Sequence, residues 1–112
     1  MPPDHGAAIV TRILRDETLR SMWVSELDEM RERMRSLRQL LSEALNVQGG
    51  EAMSRAVKDQ NGMFSTLPLS PEQAVKLRDE HAVYIMNSGR MNIAGANADN
   101  IPRLAAAILD VL

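Results

Sequence analysis

Residues 23–44 have the sequence WVSELDEMRERMRSLRQLLSEA, and this stretch decides the fold. Its apolar residues follow one another at alternating intervals of four and three, and most positions between them are charged. A period near 3.5 that continues for about three heptads is typical of one long helix with an apolar seam. The seam consists of Trp23, Leu27, Met30, Met34, Leu37, Leu41 and Ala44.

The ends of this helix are marked in the sequence. A helix can begin at Asp16, and the stretch from Asn46 to Gly49-Gly50 ends it, because glycine readily takes the positive φ of a helix C-terminus. We therefore predict one helix over residues 16–46. Its seam fits packing against other helices of the same chain, which we favour, or a coiled coil with a second helix. The helix arginines are expected to lie on a solvated face among acids: Arg31, Arg33, Arg35 and Arg38.

Shorter elements flank the long helix. On its N-terminal side, Pro2-Pro3 predicts an extended entry, and Asp4 can cap a short helix that runs to Leu14. On its C-terminal side we predict a short helix over residues 51–57. The apolar positions of the first helix are Ile9, Val10, Ile13 and Leu14.

The remaining residues predict strands alternating with helices. Residues 63–66 form a strand, and Ser70-Pro71 starts a helix in which Gln73 can complete a capping box. We expect residues 83–86 and 91–94 to pair as a hairpin around the turn at Asn87-Ser88-Gly89. The last helix carries one apolar stripe: Ile101, Leu104, Ala105, Ile108 and Leu112.

This order of elements predicts an α+β fold. The small sheet has two or three strands, and helices flank it. A length of 112 residues predicts one compact unit with one small core.

Composition excludes several classes of function. Thirteen Lys and Arg residues against 15 Asp and Glu residues give a net charge of -2, so we expect no nucleic-acid partner. The apolar runs are too short to cross a membrane, and the first residues do not resemble a signal peptide. With no cysteine, the chain can form neither disulfides nor thiolate metal sites. We expect a cytoplasmic location.

No catalytic or metal-binding pattern appears in the spacing of the reactive residues. His5 and His81 lie far apart in the sequence, and neither belongs to a metal-binding motif. Phosphate-binding glycine loops and nucleophile elbows are also absent from the sequence.

One segment, Asn87 to Gly95, has a pattern suited to ligand binding. Arg90 lies between a glycine turn and an alternating strand, where its planar guanidinium can meet a carboxylate with two parallel hydrogen bonds. Asn92 shares its face of the strand by the period of two. From spacing alone, both a ligand-binding arginine and an ordinary surface arginine remain open.

The segment SGRMNIAG, residues 88–95, resembles the C-terminal motif of the class I aminotransferases, in the branch that acts on aspartate and aromatic amino acids. Further stretches resemble the same branch in the same order along the chain. They are PPDHGA at residues 2–7, Trp23 with ELDEMRER at 26–33, QNGMFS at 60–65, LRDE at 77–80 with Val83-Tyr84, and the chain end from Ile108 to Leu112.

The resemblance implies the C-terminal part of the pyridoxal-phosphate transferase fold. Residues 1–15 would end the portion that belongs to the large domain, residues 16–46 would form the connecting helix, and residues 47–112 the small domain. It also implies transfer of an amino group between an amino acid and a 2-oxo acid, with pyridoxal 5'-phosphate as cofactor. The full-length enzyme is then expected to be a homodimer.

The resemblance also implies roles for individual residues. Arg90 matches the arginine that binds the substrate α-carboxylate, and Phe64 matches a residue that lines the active site, although a core position fits Phe64 as well. Lys58 and Lys76 lack the Ser-x-Ser-Lys context of the lysine that forms the Schiff base. We therefore expect no catalytic, cofactor-binding or metal-binding residue in this segment, and no activity from the chain alone.

Two points qualify the resemblance. The stretch TLPL, residues 66–69, stands where the family usually has an aromatic residue followed by glycine. The alternative function is a non-catalytic helical interaction module that self-associates through the seam of residues 23–44.

Overall fold

The computed structural model describes residues 4–112, and the predicted extended entry at Pro2-Pro3 lies outside them. Five helices and two short strands follow one another in this part of the chain. They are α1 (Asp4–Arg15), α2 (Glu17–Val47), α3 (Glu51–Lys58), β1 (Phe64–Thr66), α4 (Pro71–His81), β2 (Arg90–Asn92) and α5 (Ile101–Asp110), with a 3₁₀ turn at Ile93–Gly95. The α+β class and the small sheet with flanking helices are confirmed.

The chain divides between Arg33 and Met34 into two units. The prediction of one compact unit from the chain length is therefore wrong. The first unit contains α1 and the beginning of α2. None of the residues of α1 is buried, although its apolar side chains share one face. Leu19 N–H donates to the Asp16 carboxylate at 3.2 Å, so Asp16 caps the start of α2. The apolar residues of this unit, including Trp23, Leu27 and Met30, are largely exposed.

The second unit, Met34–Leu112, contains the hydrophobic core. From α2, Leu37, Leu41 and Leu45 enter this core, so the C-terminal part of the predicted seam packs within its own chain. Helices α3, α4 and α5, strand β2 and the 3₁₀ turn contribute to the same cluster. Its largest fully buried apolar side chains are Leu41, Leu45, Val57, Leu67, Leu77, Ile93 and Ile108.

The two strands pair antiparallel, with Ser65 opposite Met91 and Thr66 opposite Arg90. Leu67 N–H donates to Gly89 O at 3.0 Å and Ile93 N–H to Met63 O at 2.9 Å, which extends the ladder at both ends. In each strand the middle residue is buried and its two neighbours are exposed. Alternation therefore turns one face of the ribbon to the core and the other to solvent.

The hairpin predicted from residues 83–86 and 91–94 is wrong. Residues 83–86 form no strand, and β2 pairs with the distant β1 instead. The turn itself does form, because Gly89 N–H donates to Met86 O at 2.8 Å and Met86 N–H to Arg90 O at 3.1 Å. Val83 and Ile85 pack against the core cluster, so their apolar character reflects burial rather than strand pairing.

Helix α4 begins as the sequence predicts. The Ser70 hydroxyl accepts from Gln73 N–H at 3.2 Å, and Ser70 N–H donates to the Gln73 side-chain oxygen at 2.8 Å. This reciprocal pair is a complete capping box. The helix ends at Ala82, which takes the left-handed conformation with φ 53°. Of the helices in residues 4–112, none combines the length and the apolar character that a bilayer crossing requires.

Candidate functional site

The antiparallel ribbon brings Arg90 and Phe64 together on its solvent face. Phe64 lies opposite Asn92 and Thr66 lies opposite Arg90, which makes Phe64 and Arg90 diagonal neighbours. The guanidinium carbon of Arg90 lies 4.1 Å from the centre of the Phe64 ring. At this distance the cation is attracted by the negative face of the ring, so each side chain restricts the position of the other.

These two residues line an open hollow of about 520 Å³. Its other walls come from the segment before β2 and from β2 itself. They are Tyr84, Ile85, Met86, Met91 and Asn92. A single guanidinium among mostly apolar walls suits a small molecule that carries one carboxylate on a carbon body.

Arg90 differs in its surroundings from two exposed arginines that form ion pairs, Arg12 and Arg78. Arg12 pairs with Asp16 at 3.3 Å, and Arg78 pairs with the adjacent Asp79 at 3.2 Å. Within residues 4–112, no carboxylate lies within ion-pair distance of Arg90, and its recorded contact is the Phe64 ring. The guanidinium can therefore still donate its N–H groups to a bound acid.

Gly89 allows Arg90 to take this position. Its φ is +77°, and a Cβ added there would lie 2.2 Å from the carbonyl oxygen of Leu67. Any side chain at this position would therefore collide with the backbone after β1 and push the two strands apart. The sequence marked Gly89 as a turn residue, but its close approach to Leu67 follows only from the non-local strand pairing.

Asn92 lies on the same face as Arg90, as the period of two predicts. Its side-chain oxygen accepts from Ala94 N–H at 2.9 Å and begins the 3₁₀ turn. One function of Asn92 is therefore to end β2 directly beside Arg90.

Gln60 holds the outer edge of β1, a role that the sequence analysis missed. Its side-chain nitrogen donates to Thr66 O at 2.8 Å, and its side-chain oxygen accepts from Thr66 N–H at 2.7 Å. The amide thus satisfies the backbone N–H and C=O of Thr66, which face away from β2. Its place in the sequence directly before Asn61-Gly62 was visible, but its partner Thr66 was not.

Arg38 corrects a second expectation, because it is buried instead of solvated. Its Nη1 donates to Val57 O at 2.8 Å and also to the Ser65 hydroxyl, and its Nη2 donates to Gly62 O at 2.7 Å. Desolvation lowers the pKa of the Arg38 guanidinium. In the sequence, Arg38 directly follows the seam residue Leu37, and nothing in the heptad pattern distinguishes it from the exposed arginines of the same helix.

One cluster of possible metal ligands lies outside the hollow. Glu80, His81 and Asp110 place one ligand atom each within 4.8 Å of the others, all near the surface. His81 Nε2 lies 3.0 Å from the Asp110 carboxylate, so this pair joins the end of α4 to the end of α5. The contact explains the cluster as a link between two helices.

The residues around Arg90 do not fit an anchor for pyridoxal phosphate. Lys58 ends α3 and Lys76 lies in α4, and neither lines the hollow. The described residues therefore place no amine beside Arg90 that could form a Schiff base with an aldehyde cofactor.

Comparison with known proteins identifies the family. The model of the class I and II aminotransferases matches residues 1–108. This chain belongs to that family. It is similar to the aromatic-amino-acid aminotransferase of Pseudomonas aeruginosa, with 49% identity over 110 residues, which are 98% of this chain and 28% of the relative. It is also similar to the aspartate aminotransferase of Escherichia coli, with 43% identity over 111 residues, 99% of this chain and 28% of the relative.

Solved structures of the family have the same fold. An aromatic-amino-acid aminotransferase from Burkholderia pseudomallei, covalently bound to pyridoxal phosphate, gives a TM-score of 0.92 at 41% identity and covers 99% of this chain and 28% of its own. An aromatic amino acid aminotransferase with 3-indolepropionic acid gives 0.95 at 39%, over 100% and 29%. The predicted family, its aspartate and aromatic branch and the fold are confirmed. The chain spans a little over a quarter of the length of these relatives.

Proposed function

We propose that this chain is the part of a pyridoxal-phosphate aminotransferase that holds the carboxylate of the substrate, and that Arg90 is the residue that binds it. The substrates are an amino acid and a 2-oxo acid, of the aspartate or aromatic type. The observation that supports this role is the open guanidinium of Arg90 above Phe64, at the edge of the hollow.

The chemistry of the reaction explains why this arginine matters. A guanidinium binds a carboxylate through two parallel N–H···O bonds, which set both the distance and the plane of the acid. Phe64 restricts the plane of the guanidinium from below. A substrate held in this way presents its α-carbon in one orientation, and orientation is a large part of the rate advantage of an enzyme.

Pyridoxal phosphate belongs to this proposal as the cofactor of the whole enzyme. Because the described residues offer no lysine at the hollow, we assign none of its contacts to this chain. The proposal also assigns residues 1–15 to the large domain, residues 16–46 to the connecting helix and residues 47–112 to the small domain. It further includes a homodimeric enzyme and a cytoplasmic location.

A hybrid enzyme tests the role of Arg90. Residues 1–112 replace the matching segment of the Pseudomonas aeruginosa aromatic-amino-acid aminotransferase, and kcat/KM is measured with phenylalanine, aspartate and 2-oxoglutarate. Arg90→Ala removes two charge-assisted hydrogen bonds, so we expect kcat/KM to fall by about 100-fold. Arg90→Lys keeps the charge without the planar fork, and its loss should be about tenfold.

Arg78→Ala is the matched control, because Arg78 is an exposed arginine whose guanidinium pairs with its neighbour Asp79. Its kcat/KM should stay within about twofold of the unmodified hybrid. A hybrid in which Arg90→Ala and Arg78→Ala have the same kcat/KM would exclude Arg90 as the carboxylate ligand.

The exposed part of the seam supports the second candidate, a helical interaction module. Trp23, Leu27 and Met30 remain exposed, whereas Leu37 and Leu41 are committed to the core of the second unit. Self-association would therefore use residues 23–30. Sedimentation of the chain at micromolar concentration tests this function: a discrete dimer that Leu27→Glu abolishes and Arg90→Ala leaves intact would support it.

A further inference from the structure

Arg38 links three consecutive segments of the second unit. Its guanidinium donates to Val57 near the end of α3, to Gly62 in the connection between α3 and β1, and to Ser65 in the middle of β1. A fourth, longer contact runs from Nη2 to Phe64 O at 3.5 Å. All of these acceptors lie within nine residues, between Val57 and Ser65, and all belong to the chain that leads into β1.

The acceptors of Arg38 are neutral oxygens. Buried guanidinium groups usually meet a carboxylate, because an unpaired buried charge is costly. None of the described residues offers one within ion-pair distance of Arg38, and three carbonyls and one hydroxyl take its N–H groups instead. A cation satisfied in this way fixes the positions of several backbone groups at once.

We propose that Arg38 is a positioning residue: it holds β1 so that the Phe64 ring lies beneath the Arg90 guanidinium. This proposal rests on the proposed role of Arg90. Arg38 touches neither substrate nor Arg90. It acts through Ser65, whose side chain faces the core while Phe64 on the same strand faces the hollow.

The path from Arg38 to Arg90 is short. Ser65 pairs with Met91, so any shift of β1 along its axis changes the register in which Phe64 meets β2. The outer edge of β1 is held by Gln60 through Thr66. Arg38 therefore holds the inner face of the strand, Gln60 its free edge and β2 its paired edge. A displacement of β1 by a fraction of an ångström would move the ring away from the cation.

The test uses the hybrid enzyme with Arg38→Lys. An ammonium keeps the charge but, as a single nitrogen, cannot take the place of both Nη1, which donates to Val57 O and Ser65, and Nη2, which donates to Gly62 O. We expect KM for the amino acid to rise about tenfold while kcat changes by less than about twofold, because the contact with the substrate carboxylate is weakened and no reacting group is removed.

Leu41→Ala is the control for a purely structural effect. Leu41 lies on the same helix, is fully buried and contacts the core. Its substitution should lower the thermal midpoint at least as much as Arg38→Lys does, and KM should stay within about twofold of the unmodified hybrid. An equal rise of KM in both variants would reduce Arg38 to a general stability residue and overturn the proposal.

A second arm tests whether Arg38 acts through Phe64. When Phe64→Leu is already present, Arg38→Lys should raise KM by less than about twofold, because the ring it positions is gone. Added guanidinium ion should restore KM in Arg38→Gly but not in Phe64→Leu. An undiminished effect of Arg38→Lys in the Phe64→Leu background would contradict the mechanism.

The kinetic results distinguish a failure of the carboxylate-binding role of Arg90 from a failure of the positioning role of Arg38. If Arg90→Ala leaves kcat/KM unchanged, the proposed function fails. If Arg90→Ala lowers kcat/KM and Arg38→Lys does not raise KM, only the positioning role fails. For a hybrid variant that does not fold, the NMR signal of the Arg90 Nε–H in the 112-residue chain replaces the kinetics. The Phe64 ring should shift this signal upfield, Arg38→Lys should remove most of the shift, and an unchanged shift overturns the role of Arg38.

Discussion

The two units of this chain use the same apolar seam in opposite ways. In the first unit Trp23, Leu27 and Met30 are 43%, 46% and 56% exposed. In the second, Leu37 and Leu41 are 6% and 0% exposed. All five residues belong to one helix and one heptad pattern. The comparison shows that periodicity selects the face of a helix, whereas the presence of packing partners decides whether that face is buried.

The largest expected effect tests this contrast directly. Leu41→Ala removes a fully buried side chain and should lower the free energy of unfolding by about 3 kcal/mol. Leu27→Ala on the exposed part of the seam should change it by less than about 0.5 kcal/mol. Urea denaturation of the 112-residue chain measures both. Similar losses for the two variants would mean that the first part of the seam is also packed.

The next largest effect separates two glycines of the second unit. Gly89→Ala forces a side chain into φ +77° and against the Leu67 carbonyl, so we expect a loss of more than about 2 kcal/mol. Gly62→Ala is the control, because its φ is +85° but the space around it is open. It should cost about 1 kcal/mol, the conformational part alone. Equal losses would show that the contact with Leu67 is easily relaxed.

A smaller effect concerns the exposed face of the first unit. Ile9, Val10 and Leu14 are exposed, as are Leu27 and Met30, and exposed apolar surface favours self-association. Leu27→Glu with Met30→Glu should reduce binding of a hydrophobic dye and shift sedimentation towards the monomer. Unfolding of the second unit should change by less than about 0.5 kcal/mol. An unmodified chain that is monomeric and does not bind dye would contradict this expectation.

The smallest effect is a pH dependence at the start of α4. Ser70 and the backbone at Glu72 hydrogen-bond the Glu72 carboxylate and lower its pKa. A lowered pKa in the folded state means that the carboxylate stabilises the fold above its unfolded pKa, near 4.3, and that this contribution is lost as pH falls further. Glu72→Gln should therefore lower the thermal midpoint slightly at pH 7, and the difference should shrink as the pH falls through the lowered pKa of the folded state.

The background of Ser70→Ala checks the cause of this pH dependence. Ser70 supplies the first of the hydrogen bonds to Glu72, so most of the difference between glutamate and glutamine should disappear in that background. A difference that persists would place its origin in the helix dipole instead of the capping hydroxyl.

Local signals predicted most of the helices. The heptad seam and the glycines after Asn46 placed the long helix at residues 16–46, and α2 is Glu17–Val47. Ser70 and Gln73 predicted a capping box that the structure confirms. These features depend on residues three or four positions apart, so a sequence window contains all the interacting groups.

Non-local pairing limited the prediction of strands and of the site. Residues 83–86 have the composition of a strand, but the partner of β2 is β1, some 25 residues earlier in the chain. Arg38 resembled its solvated neighbours because its acceptors lie 19 to 27 residues away. Nothing within a turn of helix distinguishes such an arginine from Arg35.

The sequence by itself determined the family, the helical segments and the arginine in the SGRMNIAG motif, because each depends on residue types in a local order. Only the tertiary structure decided that Phe64 lies under Arg90, that Gly89 must approach Leu67, and that Arg38 is buried against β1. The physical reason is that these contacts join residues distant in the chain. Their geometry exists only after the core has closed and set the two strands in register.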